Sequence, residues 1–246
     1  MTFRIGRAAI ALLLFSASCA VSVRAADSKI PAGKWVAEVA AGGSLSTGNT
    51  SRNALDLDAK AKYRLGRVED RYKLKAELGR DKGVTTSQRW VAGYETNIDI
   101  RDGLYVLGFA NYEDNKFSGF ISEIEGGLGV GYRVWQTSDL LLSINAGPGY
   151  RISRLNAPLR DEKEIFARGT VLLEYQISDN STLSNDFTVR WDSERTKIEN
   201  IFAITSKIIG SLSGRASVDA RYNTNPPGTL FKKTDTITKV ALVYSF

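Results

Sequence analysis

Asp56, Asp58, Lys60, Lys62 and Arg64 occupy every second position of one short stretch, and the spacing recurs at Lys73, Lys75 and Glu77, at Glu123 and Glu125, and at Asp219 and Arg221. In an extended chain successive side chains point to opposite faces, so a period of two gathers these charges on one side of a strand. Rings of such charges can select ions and small solutes in a water-filled pore; charges of both signs in near balance can equally neutralise one another as a packed interior. Acid–base chemistry is less well provided. Asp114, Asp161, Asp192 and Asp235 fall in or beside longer connecting segments, but the chain has no histidine, and its single cysteine is Cys19. A Ser-His-Asp triad, an imidazole base and an imidazole metal site are therefore excluded, and the reading is of a protein that is not an enzyme and takes no cofactor. Glu113 and Asp114 offer oxygen ligands to Ca²⁺, a weak signal from two adjacent acids.

The other face of the same stretches is apolar. Leu55, Leu57, Ala59, Ala61, Tyr63 and Leu65 alternate with the charges of 56–64; Tyr72, Leu74, Ala76 and Leu78 alternate with Lys73, Lys75 and Glu77; Trp90, Ala92, Tyr94, Ile98 and Ile100 alternate with Arg89, Glu95, Asn97 and Asp99. A strand so built has to separate an apolar phase from an aqueous one, and each run has about the 9–11 residues a tilted strand needs to cross a bilayer. The alternation predicts strands near 35–46, 54–65, 71–81, 89–100, 104–113, 121–135, 139–151, 165–177, 182–192, 200–209, 212–222 and 236–246. That is about twelve, an even number that leaves both chain ends on the periplasmic side. Connections alternate between short, as at Gly66–Asp70 and Gly210–Ser211, and longer, as at Lys82–Gln88, Asp114–Phe120, Ile152–Glu164, Ser193–Glu199 and Asn223–Asp235. The hairpin Thr47-Gly48-Asn49-Thr50 is a brief exception among the outer loops. The expected fold is all-β, a transmembrane antiparallel up-and-down β-barrel.

Both ends of the chain agree with export to the bacterial outer membrane. Residues 1–25 combine Arg4 and Arg7 with an apolar run from Ala8 to Phe15 and small residues at Ala25 and Ala26, the pattern of a cleaved signal peptide, leaving 26–246 as the barrel domain. At the other end Phe246, Tyr244, Leu242, Val240 and Thr238 share one face, and Tyr244 and Phe246 form the expected assembly signal for the barrel-assembly machinery. Outer-membrane lipid, that machinery and periplasmic chaperones are the expected partners. Loss of Arg4, Arg7 and Arg24 lowers the formal charge from +6 to +3, which argues against a nucleic-acid partner. Aromatic residues near strand ends, among them Trp35, Tyr63, Tyr72, Trp90, Tyr112, Tyr132, Tyr150, Tyr175, Trp191 and Tyr222, predict two interfacial girdles.

Gly48-Asn49-Thr50, the run Arg221-Tyr222-Asn223-Thr224-Asn225-Pro226-Pro227, Lys232-Lys233-Thr234-Asp235 and the terminal Leu242-Val243-Tyr244-Ser245-Phe246 together resemble the salt-induced outer-membrane protein family, a Gram-negative family of unknown function. The resemblance runs over essentially the whole mature chain. It implies a barrel and a location, but no activity and no catalytic residues. Ser206, polar on the outward face of strand ten, departs from the pattern and bears on that strand's parity.

The inward set then includes Glu38, the charges of 56–64 and 73–77, Arg89, Glu95, Glu123, Glu125, Arg133, Arg151, Arg168, Glu174, Asp186, Arg190, Arg215, Asp219, Arg221 and Lys239. Gly127, Gly129 and Gly131 fall on the inner face of strand six, and Gly147 and Gly149 on that of its neighbour, so one wall lacks side chains. That space could be an open path, or it could be filled by long arginines from the opposite wall. Two functions follow: a narrow pore for small hydrophilic solutes or ions, or a closed structural barrel of a stress response. An outer-membrane enzyme is the remote third.

Overall fold

In the computed structural model the described residues are 33–47, 52–81, 84–115, 120–155, 161–226 and 232–246. The signal peptide at 1–25, the hairpin residues 48–50 and Pro227 of the Asn-Pro-Pro run lie outside them. Twelve strands follow in order: β1 (Lys34–Thr47), β2 (Arg52–Leu65), β3 (Val68–Asp81), β4 (Val84–Arg101), β5 (Leu104–Asn115), β6 (Phe120–Gln136), β7 (Leu140–Leu155), β8 (Glu162–Ser178), β9 (Ser181–Trp191), β10 (Thr196–Ile209), β11 (Leu212–Asn223) and β12 (Thr234–Ser245). Each pairs antiparallel with the next, and β12 pairs with β1 from Glu38↔Ser245 to Thr47↔Thr236, closing the barrel. Closure satisfies the backbone of every strand and leaves no edge, a condition for crossing lipid with sheet.

The outer face carries the apolar alternation. Leu55, Leu57, Leu74, Leu128, Ile165, Val240 and Leu242 are all exposed, and no protein covers them. Such a continuous belt of large apolar side chains is stable only against lipid. At the turn end Trp35 stacks on Tyr63 with centroids 4.8 Å apart, and the chain of rings continues to Tyr72 and Tyr94 at 5.8 and 5.2 Å. Trp90, Tyr112, Tyr150, Trp191 and Tyr222, exposed toward the other end, form the second girdle. Ser206 faces outward as the alternation requires, beside the β8–β9 turn, where its hydroxyl meets that of Ser181 at 2.9 Å.

The turns at one end are tight. Gly66 and Gly210 adopt φ of 60° and 55°, a left-handed conformation that glycine takes without a Cβ penalty, and each opens a two-residue hairpin turn. At the opposite end several strands run further than the hydrophobic alternation suggests: β4 begins at Val84 instead of 89, β7 continues to Leu155 instead of 151, and β10 begins at Thr196 instead of 200. The expected long loops shrink accordingly, since β4 takes up 84–88 and β10 takes up 196–199. The reason is physical. Apolar alternation stops where the lipid stops, whereas ladder hydrogen bonds continue as long as a neighbouring strand is present.

Candidate functional site

All the charged residues expected in the lumen lie on the inner face, where side chains from distant strands meet. Lys62 on β2 and Glu174 on β8, six strands apart, come to 3.7 Å, so ionic side chains span the whole bore at that level. Around them toward the tight-turn end, Glu38 accepts from Arg215 at 2.8 Å and from Lys60 at 3.3 Å. Glu95 lies between Arg168 at 3.4 Å and Arg71 at 3.6 Å. Arg64 bonds both Glu69 and Asp99, and Arg133 bonds Asp99 at 2.6 Å.

A second network occupies the long-loop half. Arg89 bridges Glu77 at 3.2 Å and Glu113 at 2.7 Å, and Lys239 joins Glu77 at 3.1 Å to Asp56 at 2.6 Å. Lys197 reaches across from β10 to Glu123 on β6 at 2.8 Å, and Arg190 reaches Glu125 at 3.1 Å. Arg221 engages Asp219 and lies 3.4 Å from Glu199. Lys75 is only loosely held by Asp58 at 3.8 Å, and Asp186 accepts from the Thr188 hydroxyl at 3.3 Å. Glu69, Arg71, Asp99, Glu113, Lys197 and Glu199 were missing from the sequence-derived set. The first three share the parity of their neighbours and were legible; Lys197 and Glu199 lie on the part of β10 beyond the lipid-facing alternation.

The glycine wall is neither an open path nor a seat for arginines from the opposite side. Tyr105, Leu107 and Phe109 from β5 and Phe166 from β8 form a buried apolar cluster inside the barrel. A Cβ on Gly131 would meet the Tyr105 ring at 2.2 Å, one on Gly127 the Phe109 ring at 2.7 Å, and one on Gly149 the Phe166 ring at 2.4 Å. Rings from the adjoining strands therefore lie flat over the glycines, and only glycine lets them approach that closely. Gly129 and Gly147 are closed in as well: a Cβ there would come within 2.8 Å of Ala146 O and 2.0 Å of Leu128 O. Arginines then cover the rings from the lumen side, with Arg133 4.7 Å from the Tyr105 centroid and Arg168 4.4 Å from that of Phe109.

Above this constriction the bore widens into a cavity of about 230 Å³ lined by residues of β3–β6 and β9–β12, among them Lys73, Arg89, Glu113, Arg190, Lys197 and Arg221. Past the end of β9 Asp192 is buried against Arg151 at 2.5 Å and accepts from the backbone N–H groups of Arg195 and Glu194 at 2.8 and 2.9 Å. Burial opposes its charge, but those hydrogen bonds and the Arg151 guanidinium outweigh burial and hold the carboxyl below the usual carboxylate range. The remaining acids do not converge. Glu113 points inward to Arg89 while its neighbour Asp114, in register with outward-facing Trp90, points the other way, so the two cannot share a cation. Asp161 is exposed, and Asp235 faces inward opposite Arg221.

A closed twelve-stranded barrel with an apolar exterior and a charged interior defines a transmembrane β-barrel of the outer-membrane type. Residues 39–246 match the family model described as Protein of unknown function, DUF481, and the chain belongs to that family. Among solved structures the fold is similar to a NanC porin, at 11% identity and a TM-score of 0.58 over 84% of this chain and 98% of that one. It is also similar to an outer membrane channel from Pseudomonas putida F1, at 8% identity and a TM-score of 0.57 over 89% and 97%, and to the translocator domain of the autotransporter NalP from Neisseria meningitidis, at 12% identity and a TM-score of 0.51 over 89% and 90%. No curated protein matches the chain in sequence.

Proposed function

We propose that this protein is a narrow channel of the Gram-negative outer membrane for small hydrophilic solutes or ions, delivered there by a cleaved signal at 1–25, periplasmic chaperones and the barrel-assembly machinery. The observation that carries the reading is the cavity of about 230 Å³, polar and charged, that enters the lumen from the long-loop end. A barrel serving only as a scaffold has no need of a vestibule lined by charges. The likeness in fold to a porin and to an outer membrane channel supports the same reading. The experiment is single-channel recording of the refolded mature protein in planar bilayers, with stepwise current expected.

The closed scaffold is favoured by a different observation. Lys62 and Glu174 meet across the bore, and the Tyr105, Leu107, Phe109 and Phe166 cluster fills one side of it. Conduction requires the ion pairs at that level to open or water to pass beside them. Absence of current above an empty-membrane control would make the scaffold the better account. Salt-induced expression, which the resemblance implies, fits either role.

A further inference from the structure

The apolar belt on the outside of the barrel is interrupted on one wall. On β9 the outward positions read Leu183, Asn185, Phe187 and Val189, and on β10 they read Ile198, Asn200, Phe202 and Ile204. Each asparagine therefore stands between large apolar neighbours on its own strand, within the belt and away from its ends. The corresponding outer face of β2 carries only Leu55, Leu57, Ala59 and Ala61. The two amides meet: Asn185 Nδ2 donates to Asn200 Oδ1 at 2.7 Å and lies 3.5 Å from Ile201 O. That leaves the donors of Asn200 Nδ2 and the acceptor Asn185 Oδ1 without a partner among the described residues. Both residues are partly exposed, so what meets these groups lies outside the barrel. Acyl chains offer neither donor nor acceptor, and an unmet amide in hydrocarbon is costly.

We infer that the β9–β11 face docks a second copy of this chain, forming a twofold dimer within the membrane. The asparagine pair displays donors and an acceptor side by side, which makes it self-complementary: across a twofold axis each Asn200 Nδ2 donates to the Asn185 Oδ1 of the other copy. The relief of the surface agrees. Phe202 and Ile204 stand out at 40% and 41% exposed, whereas the outward positions of β11 beside them are Gly214, Ala216 and Ala220, with Val218 the one branched side chain among these. The ridge of one copy fits the low strip of the other, and small residues let the two walls approach closely. Lipid, or a partner with a wholly apolar wall, satisfies neither amide. Docking through the outer wall is independent of whether the lumen conducts.

Two measurements on the full barrel test the dimer. Benzoylphenylalanine in place of Phe202, irradiated in outer membranes, should give an adduct of twice the barrel mass; the same group in place of Tyr94, exposed on β4 six strands away, should not. Sedimentation equilibrium of the refolded mature protein in detergent should show a dimer for the wild type and a dissociation constant about tenfold higher for Asn185→Leu combined with Asn200→Leu, the loss expected of two modest hydrogen bonds in a membrane. Those leucines extend the apolar belt, so the variant should still fold as a heat-modifiable barrel. A monomeric wild type, a dimer that the leucine variant leaves equally tight, or adducts at position 202 that carry another protein's mass or no protein at all would each overturn the proposal.

Discussion

Arg151 on β7 and Asp192, the residue that follows β9, meet at 2.5 Å with side chains 1% and 0% exposed. The pair ties the β9–β10 connection to the barrel wall at the long-loop mouth. Because the folded state holds the Asp192 carboxyl below its unfolded value, that state binds fewer protons than the unfolded chain as pH falls. The resulting stabilisation is fully present above the ordinary carboxylate value, about 3.9, and is lost as pH drops through the lower folded value. Asp192→Asn should destabilise the barrel at neutral pH by less than the about 3–5 kcal/mol of a fully stripped buried charge, since it removes the nearer of two carboxylates from the buried Arg151 guanidinium and leaves Glu123 at 3.8 Å. Urea unfolding from pH 7 to pH 3 checks this: the gap between wild type and variant should narrow on acidification, and a constant gap would mean that Asp192 does not hold its charge as described.

Sidedness predicts unequal penalties at neighbouring positions of β2. Leu57 is half exposed on the lipid face, whereas Lys60 points inward to Glu38 at 3.3 Å. Leu57→Arg should destabilise the inserted barrel by about 2–4 kcal/mol if it lies near the midplane, and Lys60→Gln should cost far less because water and other charges surround it. Equal losses in unfolding from lipid vesicles would contradict the face assignment.

Much of this architecture was legible because lipid imposes a strict rule on alternate residues. The parity of β2, β3 and β4 follows from leucines and aromatics opposed to charges, and even Ser206 fits once its place beside a turn is known. On β5 the rule of alternation is silent. Tyr105, Leu107 and Phe109 alternate with Val106, Gly108 and Ala110, so both faces are uncharged and hydropathy does not distinguish lumen from lipid. The informative signal was the pairing of two patterns: glycine at every second position of β6 beside large side chains at every second position of β5. Period-two glycine on one strand leaves room that its neighbour's rings can fill. Strand ends were blurred for a related reason, since beyond the lipid no rule of alternation applies.

The C-terminus is both a lipid-facing pair and the closing seam. Phe246 packs edge-on to Tyr244 at 4.9 Å, both exposed, while its N–H donates to Ala37 O at 2.8 Å on β1. Phe246→Asp should sharply reduce heat-modifiable barrel in outer-membrane fractions, and Ser245→Asn, at the inward position between them, should leave most of it. Equal recovery of folded protein from the two variants would show that Phe246 is not part of an assembly signal.

The last prediction concerns what narrows the bore. Phe109 and Phe166 lie with centroids 6.4 Å apart over Gly127 and Gly149, and Arg168 and Arg151 stand over their lumen faces. If these rings set the constriction, Phe109→Ala and Phe166→Ala should raise single-channel conductance by opening the side of the lumen away from the Lys62–Glu174 bridge. Truncating a packed ring costs about 3–5 kcal/mol, so Phe109→Leu and Phe166→Leu serve as milder companions that keep most of the contact. Gly149→Ala tests the same packing from the other side. Its Cβ would displace the Phe166 ring, at a cost of about 1–3 kcal/mol, and Phe166→Leu should recover part of that loss because a smaller side chain leaves the space. Conductance unchanged in both alanine variants, with the barrel still folded, would move the constriction to the ionic layer of Lys62, Glu174, Arg168 and Glu95.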